Sequence, residues 1–142
     1  MAKMIFVNLP VENLDRSIAF YEAIGCTRDP RFSNDQAAMM VWSDAVSFML
    51  LTHGFYQGFT SKPIADAHAV SQVLLALSCD SRAEVDAMME AAIGAGGREH
   101  HAAEDLGFMY SCAFEDPDGH GFGPVWMDVE AAPSAMPRQD AA

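Results

Sequence analysis

The hydrophobic and polar positions of this chain follow the same order twice. The apolar run 4–11 leads into the amphipathic stretch 13–25, and the run 73–79 leads into the stretch 81–94. Both amphipathic stretches end in Ala-Ile-Gly, and the two copies are offset by 68 to 69 residues. Apolar residues three or four apart predict helices, whereas the runs before them predict strands. A repeat of this kind indicates an internal duplication, and that duplication decides the fold.

Each copy predicts a strand, a helix and three further strands. Asn13 is placed to cap the first helix and Gly25 to end it, while Asp80 or Ser81 caps a second helix that reaches Ile93. The strands predicted in the first half are 3–10, 27–32, 37–42 and 46–52. The strands predicted in the second half are 72–79, 98–103, 108–115 and 120–127, with a loop at 104–107.

We therefore predict an α+β fold in which two tandem βαβββ modules form a curved mixed sheet around a cavity. A chain of 142 residues fits one domain. The predicted domain covers 1–128, with module one at 3–52, a linker at 53–71 and module two at 72–127. We expect the linker to be a loop or short helix whose aromatic residues cover the cavity. The tail, 129–142, is expected to be flexible.

Composition and charge exclude several classes of protein. Apolar residues make up 51% of the chain, which argues against disorder. No apolar run approaches the ~18 residues that span a bilayer, and no signal peptide is recognisable, so we expect a cytoplasmic protein without a membrane partner. Eight Lys and Arg against twenty acidic residues argue against nucleic acid as a partner. The net charge of −12 either keeps the protein soluble or attracts a cationic ligand.

The cysteines and histidines show no ligand spacing. The three cysteines, at 26, 79 and 112, are far apart, and we interpret them as buried reduced thiols rather than catalytic or metal-binding groups. The five histidines, at 53, 68, 100, 101 and 120, are interpreted as solvent-facing or loop-anchoring. The alternative is that His53 or His101 faces a pocket.

Two motifs resemble a known family. The first is Val-x-Asn-Leu-x-x-Ser-x-x-Phe-Tyr-x-x-x-Gly at 11–25, and the second is Phe-Glu-Asp-Pro-Asp-Gly at 114–119. They resemble the opening and the closing turn of the vicinal oxygen chelate (VOC) superfamily, which includes glyoxalase I, extradiol dioxygenases and bleomycin resistance proteins. The resemblance runs from Met4 to Met127. It implies the paired βαβββ fold of the glyoxalase, bleomycin-resistance and dihydroxybiphenyl-dioxygenase type, and a homodimer.

The metal-using members of this superfamily carry four ligands, one on each of four inward-facing strands. Counting from the motifs places these positions at Phe6, Leu50, Leu74 and Gly123. None of these side chains can donate an electron pair to a divalent cation. A shift of two residues along the same face reaches Asn8, Thr52, Ala76 and Val125, which include no imidazole or carboxylate. We therefore expect no metal and no cofactor at the family site.

Alternation along the strands predicts a cavity wall that is mainly apolar and aromatic, with a few isolated polar groups. Ligand sites often have this composition, but a filled core would show the same pattern. The residues expected to bind a ligand are Phe6, Asn8, Trp42, Phe48, Leu50, Leu74, Tyr110, Cys112 and Gly123. No catalytic residue can be assigned.

Three functions are compatible with these observations. The first is a metal-free member that binds a small, partly apolar molecule, as the resemblance to the bleomycin-resistance branch implies. The second is an enzyme, a glyoxalase-like lyase or an extradiol-type dioxygenase, which would need metal ligands elsewhere or catalysis by Asn8, Tyr110 or a loop histidine. The third is a homodimer with a packed interior and only a scaffolding role.

Overall fold

A computed structural model describes residues 3–131 of the chain. The first half contains, in order, β1 (Ile5–Val11), α1 (Leu14–Ala23), β2 (Thr27–Asp29), β3 (Ala37–Val41) and β4 (Val46–Thr52). The linker begins with α2 (His53–Gln57). The second half contains β5 (Leu74–Ser78), α3 (Arg82–Gly94), β6 (Arg98–Asp105), β7 (Met109–Glu115) and β8 (Gly121–Met127).

The two halves fold into two four-stranded mixed sheets with the same strand order. The first sheet has the order β1-β4-β3-β2 and the second β5-β8-β7-β6. In each sheet the first strand pairs in parallel with the last, and the other pairs are antiparallel. Neither sheet closes into a barrel. This arrangement confirms the predicted α+β class and the internal duplication.

The helix ends follow from their capping residues. The Asn13 side chain accepts a hydrogen bond from the Arg16 backbone N–H at 3.0 Å, and Gly25 follows α1 with a φ of +114°. Ser81, rather than Asp80, caps α3 by accepting from the Glu84 N–H at 3.1 Å. These contacts satisfy backbone groups that a helix end leaves unpaired.

The core lies between the helices and the helix-facing sides of the two sheets. Its largest members are five aromatic rings whose neighbouring centroids lie 5.3 to 5.9 Å apart. These rings belong to Phe20, Tyr21, Phe48, Phe114 and Phe122. Because they come from both modules and pack mainly edge to face, they join the two sheets into one core.

Two sequence expectations need correction. The strand predicted at 27–32 stops at Asp29, because Pro30 begins a short 3₁₀ helix, and the Asp29 side chain caps it by accepting from the Arg31 backbone N–H. The strand predicted at 98–103 continues to Asp105, through two register irregularities, into the predicted loop. In α3, Ile93 follows the helical spacing of the apolar residues Val85 and Met89, but it is 47% exposed and Ala92 is buried instead.

The predicted linker contains a short helix, α2, as one of the two expected forms. Most of the predicted tail, residues 132–142, lies outside the described residues. None of the helices described for 3–131 is both long and apolar enough to cross a membrane.

Candidate functional site

A cavity of about 380 Å³ lies between the edge strands β1 and β5, and the linker covers it. Its apolar wall comes from both strands and from the linker. The apolar residues include Pro10, Ile64, Val70, Val73 and Leu74. The polar and charged residues include Asn8, Tyr56, Lys62, His100, Glu115 and His120. We call this the first cavity.

A second cavity of about 320 Å³ adjoins the first. The two share Pro10, His120 and the linker residues Ile64, Ala65 and Ala67. The rest of the second wall is polar and consists of His53, His68, Glu12, Asp66 and Asp118. The linker thus covers a mainly apolar cavity on one side of His120 and a mainly polar one on the other.

The turn at 116–120 connects the two modules. Tyr21 Oη donates to Asp116 Oδ2 at 2.7 Å, and the Glu12 backbone N–H donates to Asp118 Oδ1 at 2.9 Å. His120 Nε2 lies 2.8 Å from the Pro10 carbonyl oxygen. Because a carbonyl can only accept, this ring nitrogen carries a proton and donates it. These bonds place His120 between the two cavities.

The two carboxylates of this turn have different roles. Asp116 supports the turn, because its Oδ1 accepts from the backbone N–H groups of Asp118 and His120. Asp118 reaches across to module one, where Arg16 and the Ser17 hydroxyl donate to it.

Burial shifts the pKa values of Asp116 and Tyr21, whose hydrogen bond joins the two modules. Desolvation raises the pKa of the Asp116 carboxyl, although the nearby His120 and the bond from Tyr21 favour its charged form. Burial, followed by the charge of Asp116, raises the pKa of Tyr21 well above its usual value. Tyr21 therefore stays a neutral hydrogen-bond donor.

Gly119 sets how closely the linker approaches this turn. Its φ is +91°, and a Cβ at this position would lie 2.7 Å from Ala67 C and from His68 N. Such a distance is shorter than any real Cβ contact, so a side chain here would displace the linker backbone. The linker, which covers both cavities, therefore contacts this turn directly.

Residues 3–123 match the family described as the Glyoxalase/Bleomycin resistance protein/Dioxygenase superfamily. The chain belongs to this superfamily. The match confirms the resemblance seen in the motifs at 11–25 and 114–119. No curated protein matches the sequence.

Solved structures with the same VOC fold have sequences of low identity to this chain. The hypothetical protein SA1046 from S. aureus is 21% identical, with a TM-score of 0.76 over 89% of this chain and 94% of that one. A glyoxalase-related enzyme from Fulvimarina pelagi is 20% identical, with a TM-score of 0.76 over 91% of each chain. A bleomycin-binding protein complexed with bleomycin is 22% identical, with a TM-score of 0.59 over 88% of this chain and 98% of that one.

The nine residues expected to line one cavity lie on two opposite sheet faces. Directly paired strand residues share a face, so the register separates the face that packs on the helices from the other, which we call the open face. Phe6 and Asn8 pair with Ser47 and Met49 on the open face. Leu74 and Gly123 lie on the open face of the second sheet. Of the nine, Asn8 and Leu74 line the first cavity.

The other five predicted residues belong to the helix-facing side. Phe48 and Leu50 pair with Val7 and Leu9 and are fully buried.

The remaining three are Trp42, Tyr110 and Cys112. Trp42 packs where α1 ends, because a Cβ on Gly25 would lie 3.6 Å from its ring. Tyr110 Oη donates to Asp86 of α3 at 2.7 Å. Cys112 lies two residues before the core residue Phe114, on the same face of β7.

The register also corrects one of the four VOC metal positions. Asn8 pairs with Met49 as Ala76 pairs with Gly123, so the equivalent of Gly123 in module one is Met49, not Leu50. The open-face set is therefore Phe6, Met49, Leu74 and Gly123. A single soft thioether does not suit the divalent cations that take oxygen and nitrogen ligands. These residues do not fit the metal of the metal-using VOC enzymes.

Other metal-ligating groups are dispersed. Within residues 3–131, no three His, Cys, Asp or Glu side chains lie close enough together to hold a metal ion. Burial raises the pKa of Cys26 to about 12 and that of Cys112 to about 11, so both stay protonated at neutral pH. Neither thiol is therefore an activated nucleophile.

The linker supplies many of the cavity residues that the sequence did not indicate. Of the three aromatic residues expected to cover a cavity, Tyr56 lines the first cavity, while Phe59 is 71% exposed and packs on Phe55. His101 was considered for a pocket, but His100 lines the first cavity. Lys62 had one available signal, since it is the single Lys or Arg residue between Arg31 and Arg82.

Proposed function

We propose that this VOC protein binds a small, partly apolar molecule without a metal and without transforming it. The observation that carries the proposal is the first cavity, an apolar space of about 380 Å³ with a few polar groups. Ligand pockets of ~300–1,000 Å³ typically combine such a lining with a small number of hydrogen-bonding side chains. Asn8 and Leu74, both expected from the sequence to bind a ligand, lie in its wall.

The chemistry of the family positions supports binding rather than metal-dependent catalysis. Where metal-using members hold a cation, this chain has side chains of carbon and one thioether, at Phe6, Met49, Leu74 and Gly123. The fold is shared with a bleomycin-binding protein complexed with bleomycin, at 22% identity. That likeness concerns the fold, and the binding role of this chain is our proposal.

A neutral fluorescent probe, N-phenyl-1-naphthylamine, tests the proposal directly. We expect saturable binding that persists after EDTA treatment, with the probe recovered unchanged. Leu74 is 73% exposed and lines the cavity, so Leu74→Gln should weaken binding about tenfold through lost apolar contact. The matched control is Val129→Gln, at a residue that is 79% exposed and outside the cavity.

Three outcomes would contradict this function. Equal binding by both variants would place the probe elsewhere. Restoration of lost binding by a divalent ion, or consumption of a glyoxalase or dioxygenase substrate by metal-loaded protein, would favour the enzymatic alternative. Quantitative metal analysis of the purified protein provides an independent measurement for the same decision.

We further propose that the protein acts as a homodimer in the cytoplasm. Met4, just before the edge strand β1, and Ile5 and Phe6, its first two residues, are 48%, 56% and 47% exposed, and an exposed apolar edge strand favours contact with another chain. The three free thiols favour a reducing compartment. Sedimentation equilibrium should give twice the chain mass for the wild type, and Ile5→Lys should shift it toward the monomer. A wild-type monomer would refute the dimer.

A further inference from the structure

We propose that the first cavity selects a ligand with an apolar body and a single anionic group, such as a carboxylate, and that Lys62 is the group that recognises the charge. This inference rests on the proposed binding function and names its ligand class. It runs against the acidic composition of the chain, which favours a cation at long range. Charges across the surface are screened beyond ~10 Å, so the groups in the cavity wall decide the preference.

Lys62 lines the first cavity without a carboxylate partner. The ion pairs found within residues 3–131 join Arg16 to Asp118, Arg31 to Asp29 and Arg82 to Asp105. No described carboxylate lies within 4 Å of the Lys62 ammonium group. A cation next to an apolar wall is a site where a ligand carboxylate would gain a charge-assisted hydrogen bond.

The linker backbone holds Lys62 in place. The Gln57 side-chain amide of α2 donates to the carbonyl oxygens of Thr60 and Lys62 at 2.9 and 2.8 Å. The Lys62 N–H donates to Thr60 Oγ1 at 3.2 Å. Because three hydrogen bonds fix this short segment, ligand binding needs to order only the lysine side chain.

The one carboxylate in the first cavity has a nearby counter-charge. Glu115, the last residue of β7, is directly opposite Arg98 of β6 in the antiparallel register. Opposite charges at such cross-strand positions stabilise each other. Arg98 thus lies opposite Glu115, although no ion pair within 4 Å joins the two side chains. Lys62 in the wall and Arg98 at its border give this part of the protein two basic side chains to one acidic side chain.

Two further donors complete the anion-binding wall. The Asn8 amide and the Tyr56 hydroxyl line the same cavity, and neither side chain hydrogen-bonds to another described residue. Together with Lys62 they supply three hydrogen-bond donors. Val70, Val73 and Leu74 supply the apolar contact for the body of the ligand. Among the described residues that line the first cavity, an ammonium ligand would find only Glu115 as a carboxylate partner.

Three naphthyl probes of matched size test the inference by isothermal titration calorimetry. These are 2-naphthylacetate, its neutral amide and 2-(2-naphthyl)ethylammonium. We expect the carboxylate to bind about tenfold more tightly than the amide, as a hydrogen bond to a charged group allows, and the ammonium most weakly. Lys62→Gln should remove the preference, while the charge-matched control Lys3→Gln, outside the cavity, should keep it. Glu115→Gln should strengthen carboxylate binding a few-fold.

The outcomes separate this inference from the proposed function. Binding of all three probes with equal affinity, or a preference for the ammonium, would refute the anion preference and leave the binding function intact. A carboxylate preference that survives in Lys62→Gln would refute the role of Lys62. Failure of every probe to bind the wild-type protein would refute the binding function itself. Equal melting temperatures of Lys62→Gln and Lys3→Gln exclude misfolding as the cause of a difference.

Discussion

The two modules share a strand order but differ in how densely they pack. Of the fourteen residues in the buried core cluster, ten come from module one and four from module two. The register makes Phe48 equivalent to Phe122 and Leu9 equivalent to Leu77, and all four are buried. The two modules thus have in common the strand pairing and these equivalent buried residues.

The helices account for most of the difference between the modules. The offset of 69 residues makes Met89 and Glu90 of α3 equivalent to Phe20 and Tyr21 of α1. Both rings of α1 are fully buried, whereas Met89 is only partly buried and Glu90 is exposed. Module one therefore contributes most of the buried core. Module two leaves more surface accessible, because every residue of its strand β6 is exposed.

The largest difference in stability is expected between substitutions on the two faces of the first sheet. Phe48→Ala should destabilise the protein by about 3–5 kcal/mol, because it removes a ring that packs against Tyr21 and Phe122. Phe6→Ala, at a residue 47% exposed on the open face, should cost less than ~1 kcal/mol when both variants are made in the Ile5→Lys background, in which the proposed dimer does not cover Phe6. Urea unfolding of both variants measures the contrast. Equal losses would mean that the open face is buried in solution.

The same contrast should be smaller in module two. Leu77→Ala, at a residue 5% exposed, should cost about 2–3 kcal/mol, at the low end of buried leucine truncations, because fewer core residues surround it. Leu74→Ala, on the open face of the same strand, should change stability by less than ~0.5 kcal/mol. A loss at Leu77 as large as that at Phe48 would contradict the difference in packing.

The hydrogen bond between the modules should have an intermediate effect. Tyr21→Phe removes the donor to Asp116 Oδ2 and should cost about 1–3 kcal/mol, since it leaves a buried acceptor without this partner. The control is Tyr110→Phe, which removes an exposed bond to Asp86 and should cost ~0.5 kcal/mol or less. Similar values for the two variants would show that the junction is not a specific stabilising contact.

A smaller effect, of opposite sign, is expected at Ser47. Its hydroxyl is the one buried side-chain polar atom without a hydrogen-bond partner among the described residues. Gly121 is equivalent to it in module two and has no side chain to satisfy. Ser47→Ala should therefore stabilise the protein by about 1 kcal/mol. Thermal unfolding measures the change, and a clear loss of stability would reveal a partner for this hydroxyl.

The pH dependence of Asp116 should give the smallest signal. Burial raises its folded-state pKa above the usual 3.8, so the folded protein binds this proton more tightly than the unfolded chain. The resulting stability is present below about pH 3.8 and is lost as pH rises through the folded pKa. Relative to Asp116→Asn, the wild type should therefore lose stability as pH rises above 4. A difference that increases with pH would reverse the sign and refute the raised pKa.

The sequence predicted the elements well because each one has a local signal. Asn13 and Gly25 mark the ends of α1, and alternation or short apolar runs mark most strands. Strand parity was wrong on β4 and β7, which place Leu50 and Tyr110 on the helix-facing side. Both strands lie inside their sheets, and β4 is apolar on both faces, so alternation gives little indication of which side faces outward.

The cavity was harder to predict than the fold. Nearly half of the residues in its wall come from the linker, where residues such as Lys62 and Val70 follow no periodic pattern. Their position depends on long-range contacts, above all on the approach of 67–68 to the turn at Gly119. A single sequence contains little information about such an approach. Phe6, Leu74 and Gly123, by contrast, were located by counting from the motifs, and the register places all three on the open faces of the sheets.

Gly119 links the evolution of two otherwise separate properties. A chain reversal needs its positive φ, and the linker needs its missing side chain, so one codon is under two selective constraints. Under the proposed binding function, neighbouring linker residues can change toward new ligands as long as Gly119 keeps the linker on this turn. That proposal then predicts that variation in ligand preference among relatives that keep the glycine accumulates in the linker rather than in the strands beneath it.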